Sequence, residues 1–218
     1  MRGAVRQVEW VGDDDPERVE AATITLAADR LDALGTSRST DYVTSWSLET
    51  GPDWVTSRLD VAVFGRGFTR RLALARDAHG RWTSEATQEG VGVYHDEELA
   101  DPGIDAREAA DGAFDGALDC DLALCPVTNT MPILRLGANR HEVAETRFVM
   151  AWVALPSLAV SRSEQLYSAT PYDEEAGHAV VRYSSESRDF TADLTVDPDG
   201  IVIDYPQLAR RIRTRARP

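Results

Sequence analysis

Two carboxylates stand two positions apart in Asp119-Cys120-Asp121. On a strand, where side chains alternate, both share one face. That spacing suits an acid pair, one group donating a proton and the other accepting it. Solvated or salt-bridged carboxylates are the competing reading. Cys120 and Cys125 are five positions apart. On a strand they face opposite ways, about 16 Å apart, and can neither form a disulfide nor share a metal. They read as buried free thiols. His141-Glu-Val-Ala-Glu145 has the outline of a metal-binding helix but ends in Glu instead of a second His. It leads into a β-like run and reads as a charged turn. His79, His95, His141 and His178 do not cluster in the sequence. Gly-x-Ser-x-Gly is absent, and Gly65-Arg-Gly67 lacks the third glycine of a dinucleotide fingerprint and falls in a hairpin turn. No metal site and no cofactor is expected.

Composition excludes more than any motif. All 23 basic residues are arginine. A Schiff-base aldolase, a pyridoxal-phosphate enzyme and a P-loop nucleotide hydrolase each need a lysine amine, so none of them fits. The net charge is −14, and Arg210, Arg211, Arg213, Arg215 and Arg217 fall in the last nine residues. Residues 207–218 therefore read as an arginine-rich C-terminal tail, solvated and balancing nearby carboxylates. The remainder carries 18 positive and 37 negative charges. Such a body repels phosphate backbones, so no nucleic-acid partner is expected. No apolar run approaches the ~20 residues of a membrane span. The first ten residues lack the apolar segment of a secretory signal. The chain reads as a cytoplasmic protein with no integral membrane segment. Its 218 residues are ample for one core and read as a single domain, 1–218.

Most of the chain alternates with period two, the pattern of half-buried strands. Tyr42, Trp46 and Leu48 share one face. After a turn at Gly51-Pro52, so do Val55, Leu59, Val61 and Val63, and then Phe68, Leu72 and Leu74. Phe190, Ala192, Leu194 and Val196 alternate with polar residues up to Asp197-Pro-Asp-Gly200, where proline presets φ and glycine supplies a positive φ. Ile201, Ile203 and Tyr205 return on the other side. Short turns between such runs predict antiparallel neighbours. Residues 17–35 could form a helix ending at Gly35, but Thr23-Ile24-Thr25 is β-branched and the run through Leu26 alternates, which favours two strands joined near Asp29-Arg30. Residues 84–116 are acidic and read as a surface excursion with one helical turn near Arg107–Ala110.

The run from Phe148 to Leu155 is apolar on both faces and must be covered twice. The sheet must therefore curl, with something in its concavity. The candidate is a short apolar helix holding Met131, Ile133, Leu134 and Leu136, with Arg135 as its one charge. Thr128, Asn129 or Thr130 would cap its start, Pro132 fits its first turn and Gly137 its end. The expected class is mainly β (α+β by count): a long antiparallel sheet curled as a spiral β-roll or half-barrel around one short central helix.

The stretch Gly116-Ala-Leu-Asp119-Cys-Asp121-Leu-Ala-Leu-Cys-Pro126-Val-Thr128-Asn129-Thr130-Met-Pro132-Ile133-Leu-Arg135-Leu136 resembles the signature of the putative glycolipid-binding protein family. Gly80-Arg-Trp82, Ala151-Trp152-Val153, Gln165-Leu-Tyr167 and Asp204-Tyr205-Pro206 fit in order. Val127, Leu134 and Ala209 stand where that family has Phe, Arg and Trp. The resemblance implies a long antiparallel sheet spiralling around one helix, akin to the Lol-type lipoprotein-localisation factors. It also implies non-catalytic binding of an apolar or glycolipid-like ligand in a cavity between sheet and helix. Candidate walls are Trp46, Trp82, Trp152, Tyr167 and Tyr183. Asp121, Asn129, Thr130 and Arg135 are candidate readers of a head group. Core packing competes for each aromatic, and helix capping for Asn129 and Thr130. The alternative is a protein-interaction or scaffold module using a sheet edge, with a protein partner. An enzyme using the loose carboxylates ranks last.

Overall fold

The computed structural model describes residues 3–217, and side chains through residue 214. Seven strands follow one another as an antiparallel meander: β1 (Ala4–Gly12), β2 (Val19–Leu26), β3 (Leu31–Arg38), β4 (Tyr42–Thr50), β5 (Thr56–Gly65), β6 (Phe68–Arg76) and β7 (Trp82–Gly90). A hairpin of β8 (Val93–Tyr94) and β9 (Glu97–Glu98) follows, then β10 (Gly103–Ile104) and the single turn α1 (Ala106–Ala110). Next come β11 (Asp119–Leu122), α2 (Thr130–Leu136) and a second meander. It comprises β12 (Val143–Val153), β13 (Ala159–Ala169), β14 (Ala179–Ser185), β15 (Phe190–Val196), β16 (Val202–Tyr205) and β17 (Ala209–Arg217). Because β17 pairs with β1, both meanders belong to one sheet. That sheet is curled but unclosed, with β11 and β7 at its ends. Antiparallel pairing prevails, but β11 runs parallel to β12 and β10 parallel to β13.

Side-chain alternation builds the concave face. In β3, Leu31 and Ala33 are buried while Asp32 and Leu34 are exposed. In β4, Tyr42, Thr44, Trp46 and Leu48 are buried. Gly35 lies directly opposite Trp46, and a Cβ there would sit 2.5 Å from the indole. Only glycine admits the ring at that point. The β-branched run at 23–26 forms β2, and the chain turns over Ala27–Arg30, where Ala27 N donates to Arg30 O at 2.9 Å.

Several expectations are corrected. Val55 does not share a face with Leu59. Residues 52–54 form a 3-10 turn with Asp53 and Trp54 at positive φ, so β5 begins at Thr56, and a bulge at Ser57 then leaves Thr56 and Leu59 both buried while Val55 is only half-buried. The arginine-rich end is no loose tail: its backbone is strand β17, and Arg211 pairs with Asp197 at 2.6 Å. The side chains of Arg215 and Arg217 lie outside the described residues. The acidic stretch begins inside the sheet as β7, whose partner β6 draws residues 84–90 into the ladder. Ile203 is only half-buried, because a bulge between Thr195 and Val196 shifts the register and buries Val202 instead. The two cysteines do not share a strand: β11 ends at Leu122 and the chain turns at Leu124 (φ 64°). Both are buried free thiols, and burial pushes the Cys120 thiol up to about 12.

The helix α2 lies in the concavity, with Thr130, Met131, Pro132 and Ile133 buried. None of Thr128, Asn129 and Thr130 caps it through a side chain. A 3-10 turn over Pro126–Asn129 runs directly into α2, and Thr130 N donates to Val127 O. The backbone of that turn takes the place of a cap. Gly137 ends α2 in the left-handed conformation (φ 65°), its N–H reaching the carbonyls of Ile133 and Leu134.

Candidate functional site

Residues paired across the second meander direct their side chains to the same face. Asp121 is opposite Trp152, Phe148 opposite Gln165, Tyr167 opposite Tyr183, and Ser185 opposite Phe190. Phe148 and Trp152 are four apart on β12, and Gln165 and Tyr167 two apart on β13. The pleat therefore carries them all to one side of the sheet. The 3-10 turn before α2 brings Thr128 and Asn129 down onto this set.

The polar atoms form one network. Asp121 accepts from Thr128 Oγ1 at 3.0 Å, Gln165 Nε2 at 2.6 Å and Arg188 Nη2 at 3.5 Å. Asn129 Nδ2 donates to Tyr167 Oη at 2.9 Å, and Tyr167 Oη donates to Gln165 Oε1 at 3.2 Å. Arg188 also donates to Tyr183 Oη, and its guanidinium lies 5.1 Å from the Trp152 ring centroid, a cation–π arrangement. Tyr167–Tyr183 and Tyr183–Tyr205 meet edge to face at 5.3 and 6.0 Å, and Phe190 tilts against Tyr183 and Tyr205.

Around these groups is a cleft of about 210 Å³. Asp121, Asn129 and Arg188 supply its polar side chains, and Trp152, Tyr183, Phe190 and Tyr205 its aromatic ones. The segment Leu122–Cys125 and Leu208 complete it. Burial, with Asp121 and neighbouring phenols adding to it, holds Tyr167, Tyr183 and Tyr205 above the ordinary phenol range, so all three stay neutral. Burial works against the charge on Arg188, but Asp121 and Tyr183 outweigh it and raise its pKa.

Of the nine candidate residues, Asp121, Asn129, Trp152 and Tyr183 line this cleft, and Tyr167 joins it through Asn129. The other four are elsewhere. Trp46 sits over Gly35, and Trp82 Nε1 donates to Ala117 O at 3.0 Å. Thr130 is buried, its hydroxyl without a partner. Arg135 forms a bidentate pair with the fully buried Asp119, at 2.5 and 2.7 Å. Burial raises the Asp119 pKa while Arg135 pulls it down. Asp119 and Asp121 do share a face, yet each is committed to a different arginine. Among the described residues no group of three or more His, Cys, Asp or Glu could hold a metal ion.

The chain matches the family model described as Putative glycolipid-binding over residues 7–211. It belongs to that family. The matched span includes every cleft residue from Asp121 to Leu208. The chain is also similar to a crystal structure of a DUF1089 family protein from Pseudomonas aeruginosa: 27% identity, 88% of this chain and 92% of that one covered, TM-score 0.62. No curated protein matches the chain. Family membership agrees with a general binding role.

Arg188, Phe190, Tyr205 and Gln165 were not among the sequence candidates for this site. Phe190 and Tyr205 stood out as face residues of strands, but alternation does not say which buried aromatics border a void. Arg188 lies in the turn between β14 and β15, where no period marks it.

Proposed function

We propose that this protein binds, without catalysis, a small amphipathic ligand whose polar head enters the Asp121–Arg188 cleft. A glycolipid-like molecule is the class the family suggests. The observation that carries the reading is the convergence of three polar side chains and four aromatic ones on one cleft. Such a mix of apolar walls and a few placed polar groups is what ligand sites share. At about 210 Å³ the cleft is below the ~300–1,000 Å³ of sites that enclose a whole drug-sized ligand. It suits a head group, with any long chain left outside. The site is proposed to comprise Asp121, Asn129, Trp152, Tyr167 and Tyr183 together with Arg188. No helix among the described residues is long and apolar enough to cross a membrane. We place the protein in the cytoplasm, with its two unpaired cysteines as support.

Native mass spectrometry of the protein purified from its own host tests the binding reading. The expected result is a bound amphiphile of defined mass, released on denaturation and lost in Trp152→Ala. A clean unliganded mass, with no binding of added short-chain amphiphiles, overturns it. A second reading, a protein-interaction module, is favoured by β7, a terminal strand of the sheet whose residues 85–90 are exposed.

A further inference from the structure

We propose that the cleft selects an oxyanion head group, a phosphate monoester or a carboxylate, through the guanidinium of Arg188 and the hydroxyl of Tyr183. This rests on the binding reading above and adds the charge of the ligand.

The argument is an inventory of spent and unspent hydrogen-bonding groups. The acceptor capacity of Asp121 is already engaged by Thr128, Gln165 and Arg188. The amide nitrogen of Asn129 is engaged by Tyr167. What remains among the described side chains is one pure acceptor, Asn129 Oδ1, the hydroxyl of Tyr205, and the donors of Arg188 and Tyr183. Arg188 uses only Nη2, toward Asp121 and Tyr183, and among the described residues its Nε and Nη1 make no hydrogen bond. Tyr183 accepts from Arg188 and so keeps its own proton to donate. The side chain of Arg188 is 27% exposed and lines the cleft, so its unspent N–H groups are within reach of a ligand.

A planar guanidinium fork matches the two oxygens of a carboxylate or phosphate, and a charge-assisted bond there is roughly twice as strong as a neutral one. A neutral sugar hydroxyl would gain no charge-assisted bond from this fork, and the cleft's one carboxylate already accepts from Thr128, Gln165 and Arg188. The net charge of −14 does not oppose this at contact distance, because charges beyond about 8 Å are screened at physiological salt. The Trp152 face and the Asp121 carboxylate hold the guanidinium in place, which limits the entropy lost on binding.

Isothermal titration at pH 7, with each probe below its micelle concentration, tests the proposal on the full chain. The probes are octyl phosphate, octanoate, octyl glucoside and inorganic phosphate. The expected result is that octyl phosphate or octanoate binds at least tenfold more tightly than octyl glucoside. Arg188→Gln should erase that preference, bringing octyl phosphate and octanoate to within about threefold of octyl glucoside. Arg188→Lys, which keeps the charge and loses the fork, should lower anion affinity several-fold and covers the case in which the Gln variant fails to fold. Equal or tighter binding of octyl glucoside to the unaltered protein overturns the proposal and leaves the binding reading standing. If none of the probes binds, both fall. If inorganic phosphate binds as tightly as octyl phosphate, the anion site is supported and its source is a free anion instead of a lipid head.

Discussion

Asn129 stands directly before α2 yet makes no capping bond. Its backbone is already helical, and its side chain is turned the other way, onto the hydroxyl of Tyr167. Both residues are buried, at 4% and 1% relative exposure. Removing one partner of a buried hydrogen bond leaves the other unsatisfied, at about 1–3 kcal/mol, whereas removing both is far less costly. Asn129→Ala is therefore expected to lose about 1–3 kcal/mol in urea unfolding. Asn129→Ala/Tyr167→Phe should lose clearly less than the sum of the single changes. Strict additivity would remove the bond from the account of this site. The same residue scale explains why Arg135 is not a reader of head groups. Its partner Asp119 is fully buried, and an ion pair in that setting is committed by desolvation of both members.

At the scale of elements, α2 depends on how its end is closed. Gly137 has φ 65°, and a Cβ there would meet only His141 Cδ2, at 3.4 Å. Space is not the difficulty, so the cost of a side chain is conformational. Gly137→Ala should destabilise by about 1–2 kcal/mol, the penalty of a left-handed residue with a Cβ. Gly137→Asn should recover part of this, since Asn tolerates that region. Equal losses in thermal melts of the two variants would contradict the assignment. This glycine, the apolar helix and the strands around Trp46 and Leu194 were legible in the sequence, because turn chemistry and period-two burial act locally. The curl was legible from Phe148–Leu155, since an apolar run with two faces needs two covers. Three things were not. The parity of β5 is set by a bulge at Ser57, which leaves both Thr56 and Leu59 buried. The pairing of β17 with β1 and β16 joins the chain's ends, and its arginines look solvated when read alone. Arg188 is part of the site only because strands far apart in sequence converge on its turn.

The whole molecule adds a group that no single element explains. Curling brings β2 against the segment before α2, so that Glu20 meets Cys125 across more than a hundred residues of chain. Glu20 is 3% exposed, and its Oε1 has no hydrogen-bond partner. The neighbouring Arg18 donates instead to Asp14 at 2.5 Å, Leu208 O at 2.6 Å and Leu124 O at 3.4 Å. Burial consequently pushes the Glu20 carboxyl from 4.5 up to about 7, against smaller opposing effects of the Cys125 thiol and Arg18. Between those two values the folded chain holds a proton that the unfolded chain has released. Stability therefore falls as pH rises through this window. The contribution is fully present below about pH 4.5 and lost above about pH 7, and it amounts to about 3 kcal/mol. The other carboxylates of this acidic chain titrate too, so the signal to read is a difference. Glu20→Gln keeps the shape and cannot ionise. In urea unfolding, the variant should gain on the unaltered protein by about 2.5 kcal/mol between pH 5 and pH 8. If the two stabilities run parallel across that range, Glu20 is not held protonated in the roll. Leu124, Cys125 and Leu208 all border the cleft, so a charge on Glu20 would also draw Arg18 away from the two carbonyls that it holds at the cleft wall. The same titration followed by hydrogen exchange should loosen residues 122–125 above pH 7 in the unaltered protein and leave them unchanged in Glu20→Gln.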